Sequence, residues 1–390
     1  MKEEYDIALI GGGASGLSLL YAMHLQGILD QYSVLLIEPD PKNSNDRTWC
    51  FWTDEQDAAW QMFGSSVSKS WSQLDSAFPQ RQNMAPYRYV QIRSKDFYRF
   101  VKDALQSYPN LDFYNGKVSK LSNQRPFELK LDKDQSAYAH LVFDSRPPTL
   151  NDPDLIWQSF VGYRIKAPQA QFETEVCRLM DFEVQQSEGL QFMYFLPTSE
   201  TEALIELTRF GEAILSETEA QPEIERYLQK MGISDFEIEE KEINKIPMTL
   251  SLNQKEKLHS LNKRYIPIGV RAGVVKASTG FAFKKIAQHS WAIAKALKEQ
   301  GPIPQAGHGR QYWIYDELLL NLFQKKQSPI LEIFKRLFRV HPIPRIFRFL
   351  DEESSWLDNL KILSRMPWRP FFWSIGRSLR RSILQLIIKT

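Results

Sequence analysis

The stretch Tyr5-Asp-Ile-Ala-Leu-Ile-Gly-Gly-Gly-Ala-Ser-Gly16 decides the fold of this chain. Apolar residues lead into a glycine cluster, and an apolar-rich segment follows, which predicts a strand, a tight turn and a helix. Gly11, Gly13 and Gly16 fit the pattern G-x-G-x-x-G. One glycine allows the turn, one lets the backbone approach a pyrophosphate, and one lets the helix pack close to the strand. The helix N-terminus then offers free N–H groups to the phosphates.

A second apolar run, Val34-Leu-Leu-Ile37, ends in an acid, Glu38, which follows Gly16 by 22 residues. The carboxylate that binds the ribose of a dinucleotide is expected at a spacing of about 20 residues. A lone G-x-G-x-x-G is weak evidence, but here strand, turn, helix, strand and acid occur in order. The alternative is a glycine-rich turn beside an ordinary surface glutamate. We predict a dinucleotide site, and the motif alone does not separate FAD from NAD.

The length and composition of the chain exclude several classes of protein. At 390 residues the chain can bury a large core, as one large domain or two interleaved ones. Its two cysteines, Cys50 and Cys177, rule out a disulfide framework and give no zinc spacing, so we expect no metal site and a reducing, cytoplasmic setting. The N-terminus shows no signal-peptide pattern, and no run reaches the roughly 18 uninterrupted apolar residues of a spanning helix. We therefore expect a chain that does not cross a membrane.

Charge is distributed unevenly, although the formal net charge is only +2. Residues 323–390 contain 14 Lys and Arg against 5 Asp and Glu, so this end carries +9 and the remainder of the chain −7. A basic end on an acidic chain indicates an anionic partner, which could be a membrane surface or a nucleic acid.

The last segment, Phe372 to Lys389, predicts a basic amphipathic helix. Such a helix suits a membrane interface, and the neighbouring Trp368 and Trp373 favour that depth. The alternative is a helix packed on its own domain. The apolar stripe argues against a nucleic-acid partner, so we expect peripheral attachment to the inner face of the cell membrane. The stripe comprises Phe372, Ile375, Leu379, Ile383 and Leu386, and the residues off it are Arg377, Arg380 and Arg381.

The chain changes character along its length. Residues 155–260 contain segments that alternate apolar and polar residues, which predicts an antiparallel sheet. Before them, Ser94 is a predicted N-cap of a helix, and after about residue 308 the chain is helical with proline breaks. We predict an α/β, Rossmann-like, three-layer FAD/NAD(P)-binding fold with an inserted antiparallel sheet and a C-terminal helical region. The predicted parts are a dinucleotide-binding domain at 1–150 with a return segment at 261–305, a substrate domain at 151–260, and a helical, basic, membrane-associating region at 306–390.

Two further stretches border the predicted site. Asp46-Arg-Thr-Trp-Cys-Phe-Trp52 places Arg47 and three aromatic residues beside a turn. It is either an aromatic cluster that covers the nucleotide domain or a segment close to the cofactor that lines an apolar site. Tyr265 to Gly273 predicts a strand entering a second turn, and Thr279-Gly280 precedes a helix from Phe283 to Leu297. This turn either brings another helix N-terminus to the cofactor or is an ordinary connection.

Taken together, the sequence resembles the bacterial-type lycopene cyclases, which are carotenoid-cyclising flavoproteins. The resemblance rests on separated motifs in the right order over roughly residues 5–300. The aromatic Trp-Cys-Phe-Trp block and the Leu-Pro…Ile-Glu-x-Thr pair are specific to the family, whereas the glycine motif is not. The motifs are Gly11–Gly16, Asn45–Trp52, Phe143–Pro147, Trp157–Gly162, Met180–Phe182, Phe192–Pro197, Leu204–Thr208 and Arg271–Gly280.

The resemblance implies cyclisation of lycopene without net redox change. A proton is added at C2 of a ψ end group, the C5=C6 double bond attacks the resulting cation, and a proton is lost from C6 to leave a β-ionone ring. Cyclisation of one end gives γ-carotene and cyclisation of both ends gives β-carotene, and the sequence leaves both products open; related carotenes are candidate substrates. Cyclases of this kind bind FAD and need it reduced without consuming it, so FAD is the expected cofactor and NAD(P)H a candidate reductant. Because lycopene resides in the bilayer, a membrane surface is an expected partner.

The proton donor for this reaction must be an acid in a dry pocket, where burial raises the pKa of its carboxyl. Glu206 lies on a strand-like segment among apolar neighbours and matches the family's catalytic glutamate. The alternative is a solvated strand glutamate, a description that fits Glu200 and Glu202 better. The resemblance also implies cofactor contacts at Gly11, Gly13, Ala14, Gly16, Glu38, Arg47, Gly273 and Gly280, and substrate contacts at Trp49, Phe51, Trp52 and Asp181.

Some residues depart from the common pattern. Val270 stands where many flavoproteins have an Asp, which bacterial cyclases also lack. Lys276-Ala277 and Phe281-Ala282 replace the His-Pro and Tyr-Ser common among relatives, and they flank the second turn, so they affect the expected cofactor contacts. The alternative function is an FAD-dependent monooxygenase or isoprenoid reductase on the same fold. Such an enzyme would consume NAD(P)H stoichiometrically and would not need Glu206.

Overall fold

The computed structural model of the chain describes residues 2–75, 81–132, 134–150, 152–253, 263–324 and 327–389. Within these ranges, the side chains of residues 327–329 and 381–389 are not described. The predicted Rossmann-like α/β fold with a further sheet and C-terminal helices is confirmed. The strands are β1 (Glu4–Ile10), β2 (Val34–Ile37), β3 (Thr48–Thr53), β4 (Lys69–Trp71), β5 (Gln73–Asp75), β6 (Gln82–Asn83), β7 (Arg88–Arg93), β8 (Leu111–Tyr114), β9 (Val118–Leu121), β10 (Phe127–Leu131), β11 (Ser136–Asp144), β12 (Ile156–Lys166), β13 (Val176–Asp181), β14 (Leu190–Pro197), β15 (Glu202–Gly211), β16 (Glu237–Met248) and β17 (Tyr265–Pro267). The described α-helices are α1 (Ala14–Leu25), α2 (Ala58–Phe63), α3 (Ser94–Leu105), α4 (Glu217–Lys230), α5 (Phe283–Lys298), α6 (Arg310–Phe323), α7 (Gln327–Val340), α8 (Ile343–Leu350), α9 (Trp356–Ser364) and α10 (Trp368–Lys389).

The first sheet carries the glycine-rich turn at the end of its central strand. Its strands run in the order β8-β2-β1-β11-β10-β9, with β17 beside β11. The pairs around β1, β2 and β11 are parallel, whereas β9 and β10 pair antiparallel. On one face Ile7 and Leu9 are buried with Leu20 of α1 and Ile293 of α5, and on the other Ala8 is buried with residues of β9 and β10. Because both faces are covered, these strands are apolar throughout.

The second sheet comes mostly from the middle of the chain, in the order β16-β12-β15-β14-β13-β5-β6. Its neighbours are antiparallel except for the parallel pair of β13 with β5. One face packs on α4, where Ile205 and Leu207 lie in one core cluster with Ile224 and Leu228. Residues of the other face pack with the C-terminal helices or border the cavity described below. The short strands β5 and β6 belong to the first 150 residues, so this sheet is not made from residues 151–260 alone.

A third sheet, in the order β3-β7-β4, holds the aromatic segment. The helix that follows β7 begins at Ser94, and its N-cap position is occupied by Arg93. The Ser94 hydroxyl accepts the backbone N–H groups of Asp46 and Arg47, each at 3.0 Å. The prediction of Ser94 as an N-cap was therefore wrong, because its oxygen bonds the neighbouring segment instead of its own helix. This contact fixes the start of β3 beside α3.

The helices α6 to α10 complete the fold. No helix among the described residues is long and apolar enough to cross a bilayer. Two buried lysines join these helices to the rest of the chain. Lys276 Nζ lies 2.9 Å from Asp316 Oδ1 on α6, and Lys284 Nζ lies 2.5 Å from Asp57 Oδ2 and 2.7 Å from Asp351 Oδ2. A buried charge is tolerated only when it is paired in this way.

Removing the Lys284 charge should destabilise the protein strongly. Lys284→Met leaves Asp57 and Asp351 buried without their cation, which is expected to lower the free energy of unfolding by about 3–5 kcal/mol at pH 7. Burial already raises the pKa of Asp351 to about 6, so the loss should be smaller at pH 5, where this carboxyl binds a proton. Urea denaturation at the two pH values measures both effects. Lys295→Met, on the exposed side of the same helix, is the control and should change nothing measurable.

Candidate active site

A cavity of about 880 Å³ lies where the three sheets approach one another. Residues from the ends of β1 and β2, from β3 and β7, and from β12, β14, β15 and β16 line it. Its volume is within the range of roughly 300–1,000 Å³ that is usual for ligand sites. The glycine-rich turn forms one part of its wall, and a pair of carboxyl side chains forms another.

The glycine-rich turn has the geometry that its sequence predicts. Gly11 has a φ of 104°, and its N–H donates to Ile37 O at 2.9 Å. Gly13 is the N-cap of α1 and lines the cavity, and a Cβ built on it would find no atom within 4 Å. Gly16 lies within α1, where a Cβ would collide with the carbonyl oxygen of Gly11. Gly11 thus allows the turn, Gly13 leaves space for a ligand, and Gly16 permits close packing.

Three other predicted cofactor residues also line this part of the cavity, namely Ala14, Glu38 and Arg47. Glu38 Oε2 accepts the N–H of Gly12 at 2.6 Å, and its Oε1 accepts the N–H of Asp40 at 3.0 Å. These bonds hold the carboxylate at the end of β2, beside the glycine-rich turn. Arg47 is exposed, so its charge lies at the solvent edge of the cavity.

The second turn approaches the same cavity. A short 3-10 segment, Gly269–Ala272, precedes Gly273, and both Gly273 and Gly280 have a φ of 74°. Gly280 lines the cavity, and a Cβ there would collide with Gln158 Oε1. Gly273 does not line the cavity, and its carbonyl oxygen accepts a ring N–H of His308 at 2.9 Å. Gly280 therefore lies at the site, whereas Gly273 lies outside the cavity lining and is hydrogen-bonded to His308.

The residues present fit a dinucleotide cofactor. Gln158 Oε1 and Thr279 Oγ1 are buried without a hydrogen-bond partner in the described part of the chain. Because buried polar atoms are normally paired and Gln158 lines the cavity, its Oε1 is suited to a polar group of a ligand. The first residues of α1 and α5 also line the cavity, so two positive helix ends point to one site. Among the described residues no group of His, Cys, Asp and Glu could hold a metal ion.

Glu206 lies on β15 in the wall of the same cavity. The accessible part of its side chain borders the cavity, and its Oε1 accepts the hydroxyl of Thr208 at 3.0 Å. Burial, and to a smaller extent repulsion by Glu242, raises the pKa of this carboxyl to about 8, whereas the hydrogen bond from Thr208 opposes the shift. Glu206 is therefore mostly protonated at neutral pH and can donate a proton into the cavity.

The titratable groups beside Glu206 are uncharged apart from one further carboxyl. Cys50, Tyr89 and Tyr194 line this part of the cavity. Desolvation raises the pKa of each of these three groups above its usual value, so all three are neutral at pH 7. Apolar surroundings and neutral partners are what keep an acid such as Glu206 in its protonated form.

The further carboxyl is Glu242 on β16, which the sequence analysis missed. Its Oε1 accepts the backbone N–H of Thr48 at 3.2 Å and the side-chain N–H of Asn244 at 3.2 Å. Burial raises the pKa of Glu242, and these hydrogen bonds oppose the shift. β16 contains several other charged residues, so Glu242 does not stand out in the sequence. The signal that could have found it is the alternation of the strand, which places Glu242 on the same face as the buried Met248.

The predicted substrate residues of the aromatic segment divide into two groups. Trp49 lines the cavity and stacks on Phe283 with ring centroids 5.1 Å apart. Phe51 is buried in the core, also against Phe283, and Trp52 donates its Nε1–H to Asp351 Oδ2 at 2.6 Å. Neither Phe51 nor Trp52 lines the cavity. The segment therefore both covers the nucleotide fold and supplies Trp49 to the site.

The structure does not bring Asp181 to the cavity. Its Oδ2 accepts the hydroxyl of Tyr227 on α4 at 2.6 Å, and its Oδ1 accepts the N–H of Glu183 at 2.9 Å. Asp181 pairs in register with Met193, whose side chain belongs to the core cluster beneath α4. Asp181 therefore faces the helix side of the second sheet, and its expected substrate contact is corrected to a role in holding α4.

Fold and cavity together define an α/β protein with a Rossmann-like fold and a cavity at its glycine-rich turn. An HpxO variant from Klebsiella pneumoniae, crystallised with FAD, has a TM-score of 0.61 at 12% identity, and the match covers 90% of this chain and 98% of that one. A geranylgeranyl bacteriochlorophyll reductase-like protein from Thermoplasma acidophilum has a TM-score of 0.55 at 12% identity, with 94% and 98% covered. At these identities the likeness concerns the fold.

The particular family is shown by the sequence comparisons. The chain belongs to the family described as lycopene cyclase protein, whose model matches residues 6–375. A lycopene beta-cyclase from Pseudescherichia vulneris is 26% identical over 377 residues, which cover 93% of this chain and 94% of the relative. Another from Pantoea ananas is 26% identical over 384 residues, which cover 94% and 96%. The resemblance inferred from the separated motifs is thereby confirmed.

Proposed function

We propose that this chain is a lycopene β-cyclase that binds FAD and converts the ψ end groups of lycopene into β-ionone rings. The observation that carries the proposal is a carboxylic acid, Glu206, with a pKa raised to about 8 in the same cavity as a dinucleotide-binding turn. Family membership and relatives named lycopene beta-cyclase over nearly their full length support the substrate class.

The glycine-rich turn and the second turn are the proposed FAD site. Gly13 offers space for the pyrophosphate, Glu38 a carboxylate for ribose hydroxyls, and Arg47 a cation at the solvent edge. Gln158, which lines the cavity, provides a buried polar atom for the cofactor. Reduced FAD, with NAD(P)H as a candidate reductant, would supply negative charge near a developing cation without being consumed.

Glu206 is the proposed proton donor. Its O–H proton is transferred to C2 of the ψ end group, which leaves a cation at C1. The C5=C6 double bond then forms the C1–C6 bond and moves the cation to C5, and loss of the C6 proton restores a double bond. One proton is gained and one is lost, so the ring forms with no net oxidation or reduction.

The walls of the cavity favour this sequence of steps. Trp49, Tyr89 and Tyr194 line it, and aromatic ring faces stabilise a nearby cation by their negative quadrupole. The apolar part of the lining, which includes Leu196 and Leu204, would limit the access of water to the cation. In the proposed mechanism the acid, the aromatic wall and the cofactor thus act in one cavity.

Exposed apolar side chains on the C-terminal helices support a peripheral membrane site. The face of α10 that carries Ser374 packs on α6, and Ser374 Oγ donates to Leu318 O at 2.8 Å. The opposite stripe is outside, with Phe372 67% exposed and Leu379 60% exposed, and Trp356 on α9 is 71% exposed. One face of this helix is thus packed on its own domain, and the exposed face supports the proposed membrane interface. The stripe positions Ile383 and Leu386 lie where side chains are not described.

Charge substitutions in the stripe should weaken membrane binding. In the double variant Phe372→Asp, Leu379→Asp, two side chains can no longer enter the acyl region, and anionic charge faces anionic lipid. We expect cosedimentation with anionic liposomes to fall by about tenfold or more for each residue. Phe113→Asp, at a phenylalanine on β8 that is 52% exposed, is the control and should bind normally. Equal binding by all three proteins would contradict the membrane assignment.

Product analysis tests the proposed activity. The chain is expressed in a bacterial host that accumulates lycopene, and the carotenoids are separated by HPLC. We expect β-carotene, with γ-carotene as the intermediate. Untouched lycopene, in cells that contain folded flavin-loaded protein, would contradict the proposal. Stoichiometric NAD(P)H consumption with another isoprenoid would then favour a reductase or monooxygenase.

A further inference from the structure

Four adjacent strands of the second sheet place their side chains in one row across the cavity wall. In the register of the sheet, Tyr194 lies opposite Glu206, Glu206 opposite Gly162, and Gly162 opposite Glu242. Residues opposite one another in a sheet point to the same face. The two carboxyl groups therefore face the same cavity from either side of a residue that has no side chain.

Gly162 keeps the space between the carboxyl groups open. Adjacent strands are about 4.8 Å apart, so the backbones of Glu206 and Glu242 are roughly 10 Å apart with Gly162 between them. A Cβ on Gly162 would lie 3.4 Å from Glu206 Oε2, which shows that the Glu206 carboxylate leans over this gap. No side chain of β12 in this row screens one acid from the other.

The two acids have different hydrogen-bond environments. Glu242 accepts two N–H groups, from Thr48 and Asn244, and Arg47 acts on it as a nearby cation. Glu206 accepts one hydroxyl, from Thr208. N–H donors and a cation stabilise a carboxylate anion, whereas a desolvated carboxyl with few donors keeps its proton. When two interacting acids lie in such unequal settings, the proton remains on the poorer site.

We propose that Glu242 is the ionised partner of Glu206, a positioning residue whose negative charge keeps the catalytic acid protonated. The proposal rests on the proposed cyclase function. The other titratable groups that face Glu206 are Cys50 of β3, Tyr89 of β7 and Tyr194 of β14, and all three are neutral at working pH. Repulsion between the two carboxyls then favours the state with one proton between them.

The pH dependence of cyclisation tests this role. With purified, flavin-loaded protein and lycopene in liposomes, the wild-type rate should fall as pH rises through about 8, where Glu206 loses its proton. Glu242→Gln keeps the size of the side chain and an oxygen that accepts the Thr48 N–H, but removes the charge. A unit charge roughly 10 Å away at an effective dielectric constant of about 20 shifts a pKa by about one unit, so the alkaline limb should move down by about one pH unit. At pH 8 the variant should be about fivefold slower than the wild type, and the difference should shrink toward pH 6.

A matched variant and a spectroscopic measurement complete the test. Glu242→Asp retains the charge and should retain the wild-type midpoint. A Glu242→Gln profile with an unmoved midpoint, even at a uniformly lower rate, would overturn the proposal, because a structural role alone lowers the rate at every pH. Infrared difference spectra of Glu206→Gln against the double variant Glu206→Gln, Glu242→Gln at pH 7 test the same point without a rate measurement. A protonated-carboxyl band that is lost together with Glu242 would show Glu242 to be neutral and would also overturn the proposal. If the wild type forms no cyclic product at any pH, it is the proposed function that fails.

Discussion

Glu206→Gln should form no detectable β-carotene under conditions in which the wild type converts lycopene completely. The amide has the size of the acid and can still accept the Thr208 hydroxyl, which lies 3.0 Å from Oε1. It has no acidic proton, however, and the neighbouring Cys50, Tyr89 and Tyr194 are weaker acids than the carboxyl. A positioned general acid contributes about 10²–10⁴-fold, so we expect the initial rate to fall by about 10³-fold or more.

The matched control is Glu202→Gln, at the start of the same strand and outside the cavity lining. It should cyclise lycopene at the wild-type rate. Flavin content and thermal unfolding of both variants should equal those of the wild type, since neither change alters packing. A Glu206→Gln protein that retains a tenth or more of the wild-type rate would show that the proton comes from another group.

Gly13→Val should weaken FAD binding by roughly 100-fold while leaving the fold intact. Gly13 has φ −83° and ψ −161°, an extended conformation that valine adopts readily, and a Cβ at this position would meet no protein atom within 4 Å. The added side chain would therefore enter only the space proposed for the pyrophosphate. Overpacking of this kind costs about 3 kcal/mol, which corresponds to roughly 100-fold weaker binding.

Fluorescence titration of the apoprotein with FAD measures this effect, and circular dichroism checks the fold. Gly307→Val is the control, since a Cβ at Gly307 also meets no atom within 4 Å and this glycine lies outside the cavity lining. The control should bind FAD as tightly as the wild type. Wild-type affinity in Gly13→Val would place the cofactor elsewhere, because the position where the backbone is expected to approach the pyrophosphate would then be free of ligand.

The first sheet could be predicted from sequence because its signals are local. The residues from Tyr5 to Gly16 contain strand, turn and helix start within one continuous stretch, and the acid at the end of β2 follows at the expected spacing. The structure places Gly11, Gly13 and Glu38 beside one another on that basis. The amphipathic character of α10 is local too, and its exposed stripe agrees with the described residues Phe372 and Leu379.

The second sheet shows why other features could not be predicted. Glu242 and Glu206 face the same cavity because β12 lies between their strands and its Gly162 is paired with both residues. Pairing between strands that are far apart in the chain cannot be read from a local sequence pattern. Asp181 follows apolar residues as a site carboxylate would, yet the register of β13 turns it toward α4. Successive side chains of a strand point to opposite faces of the sheet. A shift of one residue in strand pairing would therefore move a side chain from the cavity face to the helix face.

The most direct test of the central claim is cyclisation in D₂O with chemically reduced FAD under exclusion of oxygen. Because the Glu206 carboxyl exchanges with solvent, we predict one deuterium in each β-ionone ring, at C2, and a flavin that is still fully reduced after many turnovers. Mass spectrometry of the product and the flavin absorption spectrum give the two readouts. Rings without deuterium, or one flavin oxidised for each ring formed, would contradict an acid-initiated cyclisation without net redox change.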